Sequence, residues 1–265
     1  MSEKLNILFV DDEECVLRSL NSLFKRNFKV YTTTDVHKAL EFLKKNTVHV
    51  IVSDQRMPQI TGVELLAQVK QVSPKTMRLL LTGYSDLQDI IDSVNEGEIY
   101  RYINKPWNND HILNIVAKAA QVGLEQFQAS TPSIVESGEK ACGILVFEEE
   151  NNTYDTLMEI ADQKYMIKKA TTLSSVFDMI KPQNEIAVIF LELKGDKEKV
   201  ILKMIKQSRP NILIIALTNI QDANLLIDLI NQGEIFRFFP IPVNKTLLER
   251  ALKAAKQRFI VTTLP

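Results

Sequence analysis

Short apolar runs that alternate with longer amphipathic segments constrain the fold of this chain most strongly. The runs at Ile7–Val10, Val48–Val52 and Leu79–Leu81 are rich in branched aliphatic residues and predict buried strands. Between them, Val16–Phe24 and Ala39–Leu43 space their apolar residues as amphipathic helices do. Strands that are apolar at every position are typical of a parallel sheet covered by helices on both faces. The pattern predicts an α/β fold with a doubly wound parallel sheet.

An internal repeat extends this prediction to the whole chain. The segment GEIYRY at 97–102 returns as GEIFRF at 233–238, and the strand-like runs ILFV at 7–10 and ILVF at 144–147 recur at nearly the same spacing. A spacing that changes by only a residue or two across a domain indicates two copies of one fold with small loop insertions. We therefore expect two domains of the same architecture.

The length of 265 residues suits two compact domains, each able to bury its own core. Between the two repeats, the polar segment QASTPSIVESGEK has no sustained hydrophobic period and indicates a linker. The sequence thus predicts a first domain at 1–127, a linker at 128–140 and a second domain at 141–265.

Composition excludes several classes of function. The chain is 45% hydrophobic and 25% charged, which is ordinary for a globular protein, and its net charge of −1 offers no basic surface for nucleic acid or anionic lipid. Two cysteines, Cys15 and Cys142, are too few for a disulfide framework. No apolar stretch is long enough to span a bilayer. We expect a cytoplasmic protein that binds neither nucleic acid nor membranes directly.

Polar side chains follow four of the predicted strands in the first half. Asp11 and Asp12 follow strand one, Asp54 strand three, Thr82 strand four and Lys105 strand five. Parallel sheets bind ligands at the carboxyl ends of their strands, so these groups should meet there. Three carboxylates repel one another unless a cation neutralises them, and oxygen ligands suit Mg²⁺. With a hydroxyl and an ammonium beside them, they form the electrostatic pattern that phosphoryl transfer requires, with a carboxylate as nucleophile.

This succession of residues resembles the receiver domains of two-component response regulators. The resemblance covers about the first 125 residues and depends on several motifs in order, which makes it specific. The motifs are Asp11-Asp12, Asp54 followed by Met57-Pro58 and Gly62, Thr82-Gly83, and Lys105-Pro106. It implies a flavodoxin-like, CheY-like (βα)5 domain with a parallel five-stranded sheet, and the internal repeat implies a second.

The resemblance also implies a role for each acidic residue. Asp54 would be the phosphorylation site and a ligand of Mg²⁺, Asp12 would bind the ion directly, and Asp11 mainly through water. Arg56 would contribute its backbone carbonyl. Read alone, Asp11 and Asp12 could instead cap the following helix, but their combination with Asp54 favours the metal site.

Three further residues would sense the phosphoryl group. By resemblance, Lys105 pairs with it, the Thr82 hydroxyl moves toward it, and Tyr102 is an aromatic that rotates on strand five. Packing in the core is an equally good interpretation of Tyr102. Trp107 resembles receivers that are joined to cyclic-di-GMP phosphodiesterase or transcription-activating output domains.

The second half keeps acidic residues but changes the chemistry. Its equivalents are Glu148 and Glu149 for Asp11 and Asp12, Glu192 for Asp54, Thr218 for Thr82, and Ile241 for Lys105. Each glutamate carries an extra methylene, and small misplacements are costly in a catalytic site. No ammonium remains at position 241. We predict a degenerate pseudo-receiver that is not phosphorylated.

The leading hypothesis for the whole chain is a response regulator in a phosphorelay. A sensor histidine kinase or phosphotransfer protein would phosphorylate Asp54 and change the affinity for an unidentified protein target, with a homodimer as a further expected partner. A phosphate sink or relay intermediate is the alternative. A phosphohydrolase with an aspartyl nucleophile needs a second acid at position 56, where the chain has Arg56. We expect no enzyme activity beyond the protein's own phosphorylation and dephosphorylation.

Overall fold

The structure is a computed structural model in which the chain divides into two compact units, Met1–Ile134 and Val135–Pro265. It describes residues 4–83, 99–128, 142–148, 152–161, 165–219, 223–232, 235–249, 251–253 and 255. Apart from Gln128, the linker predicted at 128–140 lies outside these residues. Each unit is described by itself below.

The first unit is a parallel five-stranded sheet with helices on both faces. Its strands are β1 (Asn6–Val10), β2 (Lys29–Thr33), β3 (Val50–Asp54), β4 (Met77–Thr82) and β5 (Arg101–Asn104), and its helices are α1 (Glu14–Phe24), α2 (Val36–Lys45), α3 (Gly62–Val72) and α4 (Asn109–Gln128). The strand order is β2-β1-β3-β4-β5, which is a doubly wound order. The segment 84–98, between β4 and β5, lies outside the described residues.

Buried apolar side chains explain why these segments fold as they do. All five residues of β3 are buried, as expected for a central parallel strand. Helix α1 buries Leu17, Leu20 and Phe24, which lie on one helical face. These side chains and those of α4 pack against β1, β3 and β4 in one core cluster. Packing on both faces of the sheet leaves the ends of its strands as the place for polar residues.

The second unit has the same architecture. Its strands are β6 (Cys142–Phe147), β7 (Tyr165–Ala170), β8 (Ile186–Leu193), β9 (Leu213–Thr218) and β10 (Arg237–Pro240). Its described helices include α5 (Thr153–Ile160), α6 (Leu173–Met179), α7 (Asp196–Ser208) and α8 (Ala223–Asn231), with a 3₁₀ turn at Pro182–Asn184, and residues 245–249 and 251–253 are also helical. All strand pairs are parallel, in the order β10-β9-β8-β6-β7. Read from the other edge, this is the order of the first sheet. The predicted fold class, two doubly wound parallel five-stranded sheets, is confirmed.

Strand register aligns the two sheets residue by residue. Asp54 at the end of β3 lies opposite Leu81 of β4, and Glu192 near the end of β8 lies opposite Leu217 of β9. Asp11 and Glu148 each come directly after the first strand of their unit. The two units therefore carry carboxylates at equivalent places on the carboxyl edge. Among the described residues, no helix is both long and apolar enough to cross a membrane.

Candidate functional site

Three carboxylates meet at the carboxyl edge of the first sheet. Asp11 is fully buried after β1, Asp54 is 6% exposed at the end of β3, and Asp12 is exposed. One oxygen from each of the three lies within 4.8 Å of the other two. The parallel sheet brings together residues that are more than forty positions apart in the chain. The structure thus collects the three predicted acidic side chains in one cluster.

Lys105 bridges the two buried carboxylates. Its Nζ donates to Asp54 Oδ1 at 2.7 Å and to Asp11 Oδ2 at 3.0 Å. The backbone N–H of Lys105 donates to the Thr82 carbonyl at 2.8 Å, which continues the β4–β5 ladder beyond Asn104. The sheet itself therefore positions the lysine, and one ammonium neutralises much of the charge that the two aspartates place inside the protein.

Burial and the ion pair act in opposite directions on the protonation of this cluster. Burial raises the pKa of the Asp54 carboxyl above its ordinary value, and the hydrogen bond and charge of Lys105 offset only part of this rise. Burial also disfavours the charged form of Lys105, but hydrogen bonds to Asp54 and Asp11 outweigh it and raise the pKa of the ammonium. Lys105 therefore stays charged, and a further cation would favour the ionised form of Asp54.

The start of α3 is held tightly against Asp54. The Gly62 N–H donates to the Gln55 carbonyl at 2.9 Å, and a Cβ atom at position 62 would lie only 2.1 Å from the Asp54 carbonyl oxygen. A capping box between Thr61 and Glu64 fixes this end of the helix. Only glycine allows the helix backbone to approach so closely, which accounts for Gly62 as part of the site.

The two predicted switch residues lie on β4 and β5 and are both buried. Thr82 ends β4, and its hydroxyl donates to the Gly83 carbonyl at 3.3 Å. Tyr102 is fully enclosed and lies opposite Leu80 in the sheet. Its neighbour Ile103 packs in the core cluster on the other face. Tyr102 therefore occupies an inward position, on the face away from α1 and α4.

The donor set fits a hard divalent cation. Asp11, Asp12 and Asp54 supply carboxylate oxygens and no nitrogen or sulfur, which suits Mg²⁺ with several waters. The exposed Asp12 leaves one side of the cluster open to solvent. Arg56, the predicted source of a backbone carbonyl, is exposed two residues after Asp54.

At the equivalent edge of the second unit, Glu148 has different partners. The backbone N–H groups of Thr153 and Tyr154 donate to its two oxygens at 3.2 and 3.1 Å, and Lys169 Nζ lies 3.3 Å from Oε1. The side chain is completely buried. Glu148 therefore anchors the start of α5, and its charge is neutralised from β7 rather than from β10.

The other equivalents do not reproduce the first site either. Lys194 Nζ is the ion partner of Glu192, at 3.5 Å from Oε2. The Thr218 hydroxyl donates to the Leu193 carbonyl at 2.8 Å. Ile241 packs against the apolar core of its unit. Glu149 lies outside the described residues.

The alignment of the two halves of the sequence overlooked two ammonium groups at the carboxyl edge of the second sheet. It considered only position 241, whereas Lys169 and Lys194 lie beside the buried glutamates. A signal did exist for Lys194, since it lies two residues after Glu192 and so on the same side of an extended chain. No such signal existed for Lys169, because a lysine on an edge strand is common and does not indicate a site.

The fold and the cluster of the first unit define a class of protein. A doubly wound sheet in this strand order, with acidic residues after β1, an aspartate ending β3 and a lysine after β5, is the arrangement of a phospho-acceptor receiver. Residues 7–117 match the family model of the response regulator receiver domain, and this part of the chain belongs to that family. The resemblance seen in the sequence is confirmed for the first half.

Curated relatives with similar sequences are named as regulatory proteins. The hydrogenase transcriptional regulatory protein HoxA of Cupriavidus necator is 41% identical over 122 residues, which cover 46% of this chain and 25% of HoxA. The regulatory protein AtoC of Escherichia coli is 28% identical over 117 residues, 44% of this chain and 25% of AtoC. The chain spans about a quarter of the length of these relatives.

Solved structures of receiver domains are also similar. The signal receiver domain of an HD domain-containing protein from Pseudomonas fluorescens is 34% identical, with a TM-score of 0.47, and the match covers 49% of this chain and 96% of that one. A receiver domain protein from Methanospirillum hungatei is 25% identical, with a TM-score of 0.44 and coverage of 47% and 99%.

Proposed function

We propose that this chain is a signalling protein of a two-component phosphorelay, phosphorylated on Asp54 by a histidine kinase or phosphotransfer protein. The observation that supports this most directly is the contact of 2.7 Å between Asp54 and Lys105 inside a cluster of three carboxylates. A buried carboxylate beside a fixed ammonium is a nucleophile with a counter-charge already in place.

In the proposed reaction, an Asp54 carboxylate oxygen attacks the phosphorus atom, and the bond between phosphorus and the donor breaks. The donor leaves with the electron pair, and an acyl phosphate is formed. Lys105 would exchange its contact with the Asp54 carboxylate for one with a phosphoryl oxygen. Asp11, Asp12, Asp54 and the Arg56 carbonyl would hold Mg²⁺. The ion would neutralise phosphoryl oxygens, as phosphoryl transfer requires.

The output in this proposal is a changed protein-binding surface. The Thr82 hydroxyl would move toward the phosphoryl group from the end of β4, and Tyr102 already lies inward on β5. Stabilising that inward position would alter the surface beside β5 and α4 for a protein target or a second copy of the chain. The proposal includes no DNA binding, in keeping with the net charge of −1.

In the same proposal the second unit is a pseudo-receiver that accepts no phosphoryl group. Its central carboxylate belongs to a longer side chain, and the position of Lys105 is taken by an isoleucine that packs against an apolar core. Beyond its own phosphorylation and dephosphorylation, the chain would have no catalytic activity, and it would act in the cytoplasm where it meets its kinase.

Phosphorylation of the full chain with acetyl phosphate and Mg²⁺ tests this proposal. Intact mass spectrometry should show one phosphoryl group per chain in the wild type and in Glu192→Gln, and none in Asp54→Asn. Continued labelling of Asp54→Asn, or loss of labelling in Glu192→Gln, would contradict the assignment of one active and one inactive site.

A further inference from the structure

Gln55, the residue that follows Asp54, is buried although its side chain is a polar amide. It is 2% exposed and lies between the end of β3 and the start of α3. The equivalent residue of the second unit, directly after Glu192, is Leu193, which is also 2% exposed. The shared fold therefore accepts an apolar side chain at this position. Because a buried amide is costly unless it is hydrogen-bonded, its presence in the first unit needs a separate explanation.

The hydrogen bonds of Gln55 join the end of β3 to the start of α3. Its backbone N–H donates to the Leu81 carbonyl at 2.9 Å, which continues the pairing with β4 one residue beyond Asp54. Its backbone carbonyl accepts the Gly62 N–H at 2.9 Å, and its side-chain Oε1 accepts the Val63 N–H at 3.3 Å. The first N–H groups of a helix have no partner within the helix. Gln55 accepts from two of them, one through its backbone and one through its side chain.

The connection that these bonds enclose, residues 56–61, has no buried side chain of its own. The structure describes all of it, and each of its residues is exposed or half-buried. The corresponding connection of the second unit is much shorter, since β8 ends at Leu193 and α7 begins at Asp196. A longer connection that places no side chain in the core depends on its two ends for its course. Gln55 fixes both ends, because it precedes the connection and holds the residues that follow it.

From these contacts we infer that Gln55 is a positioning residue of the acceptor site, which sets the course of residues 56–61 and so the place of the Arg56 carbonyl. The inference rests on the proposed function, in which that carbonyl would bind Mg²⁺ together with the three aspartates. The Gln55 side chain acts through the backbone of the connection rather than by contact with the ion. The second unit, which would accept no phosphoryl group, has a leucine at the same place.

Titration of the full chain with Mg²⁺ alone, followed by the fluorescence of Trp107, tests this inference. Gln55→Leu removes the Oε1 acceptor and introduces a side chain that the second unit buries at the equivalent position. Gln55→Met removes the acceptor with an unbranched side chain of similar length. We expect each variant to bind Mg²⁺ about tenfold more weakly, at the lower end of the loss that follows removal of a group behind a metal ligand. With acetyl phosphate, each should need more Mg²⁺ for half-maximal labelling of Asp54 but reach the wild-type rate when Mg²⁺ is saturating.

Thr76→Val is the matched control for a purely structural loss. Thr76 is fully buried directly before β4, and its hydroxyl donates to the Val48 carbonyl at 2.7 Å. It therefore lies at the amino edge of the same sheet, opposite the edge that carries the aspartates. The variant also loses a buried hydrogen bond, so its unfolding temperature should fall. Its affinity for Mg²⁺ should stay that of the wild type.

Unchanged Mg²⁺ affinity in both Gln55 variants would overturn the inference, as would an equal loss of affinity in Thr76→Val. A labelling rate that stays low at saturating Mg²⁺ would overturn it too, because Gln55 would then act on Asp54 itself. Failure of the proposed function has a different signature: the wild type would bind Mg²⁺ without any labelling of Asp54, and the titration alone would then decide the role of Gln55. A wild type that binds no Mg²⁺ would overturn both.

Discussion

Lys105 is the residue on which the first site depends most visibly. It donates to two carboxylates that are both almost fully buried, and it does so from a side chain that is itself about one quarter exposed. The ammonium lies where a metal ion bound to Asp11 and Asp54 would also lie. It also neutralises the same carboxylate charges that the ion would neutralise. In the proposed reaction, Lys105 would therefore have two opposing roles: it would help phosphoryl transfer and compete with the cation.

Replacement of Lys105 by methionine should separate these roles. We expect Mg²⁺ to bind about tenfold more tightly, because a positive charge a few ångströms from the ion is removed. Labelling by acetyl phosphate should nevertheless fall, since no ammonium receives the phosphoryl oxygens. Fluorescence of Trp107, the single tryptophan of the chain and two residues from Lys105, can follow the titration. Weaker Mg²⁺ binding by the variant would show that Lys105 organises the carboxylates rather than competing.

At this scale the sequence predicted most of the first site and little of the second. Asp11, Asp54 and Lys105 could be predicted to meet because each follows a strand of one parallel sheet. The contact between Lys169 and Glu148 could not be predicted, because it depends on the register in which β6 and β7 pair. Lys169 lies opposite Val146, which places it two residues before Glu148 along the sheet. Residue order alone does not give that register.

Helix α3 is the element that sets the position of Asp54. Its first residue, Gly62, has its Cα so near the Asp54 carbonyl that any side chain must displace one of the two backbones. The second unit uses a glycine at the start of α7 as well, but a Cβ there would find nothing closer than Glu198 Oε2 at 4.0 Å. Gly62 and Gly195 therefore provide a matched pair of positions for substitution by alanine.

Gly62→Ala should destabilise the first unit by about 3 kcal/mol, at the upper end for overpacking in a tight site, and should slow labelling of Asp54. Gly195→Ala should change stability by less than about 1 kcal/mol, because the added methyl group meets open space. Urea unfolding followed by Trp107 fluorescence measures the first variant, and far-ultraviolet circular dichroism the second. Equal effects of both substitutions would contradict the argument from close approach.

The boundaries of β3 show where the hydrophobic pattern alone is insufficient to predict the ends of an element. The apolar run at Val48–Val52 predicted strand three two residues too early, and β3 runs from Val50 to Asp54. Val48 is buried, but its carbonyl accepts from the Thr76 hydroxyl at 2.7 Å instead of joining a strand. At the other end, pairing with β4 carries the strand through Ser53 to Asp54, although the apolar run has stopped.

At the scale of the whole molecule, each unit has its own apolar core and its own sheet. The first core contains residues of α1, α4, β1, β3, β4 and β5, and the second is formed entirely by residues after position 141. The repeat in the sequence correctly predicted the shared strand order, because strand spacing along the chain is retained. It could not reveal a cavity of about 230 Å³ at the carboxyl edge of the second sheet, which is lined by side chains from β6, β8, α6 and α7.

Mg²⁺ with a phosphoryl analogue should stabilise one unit and leave the other unchanged. Ligand that binds only folded protein raises the unfolding temperature of the unit that binds it. We therefore expect the transition reported by Trp107 to rise and a second calorimetric transition to stay in place. Asp54→Asn, which keeps the shape of the side chain, should abolish the rise. A parallel shift of both transitions would instead show that the units unfold as one.

The ion pair between Lys169 and Glu148 affects how easily the second half could acquire a site that accepts a phosphoryl group. A lysine substituted at position 241 would meet a glutamate whose oxygens already hold the start of α5 and the ammonium of Lys169. Useful chemistry would also need two shorter acids and the removal of Lys169. Removal of Lys169 alone would leave the buried Glu148 without its ion partner, and so would weaken the anchor of α5. If the second unit is a pseudo-receiver, as proposed, restoring an acceptor site there would therefore require several substitutions together.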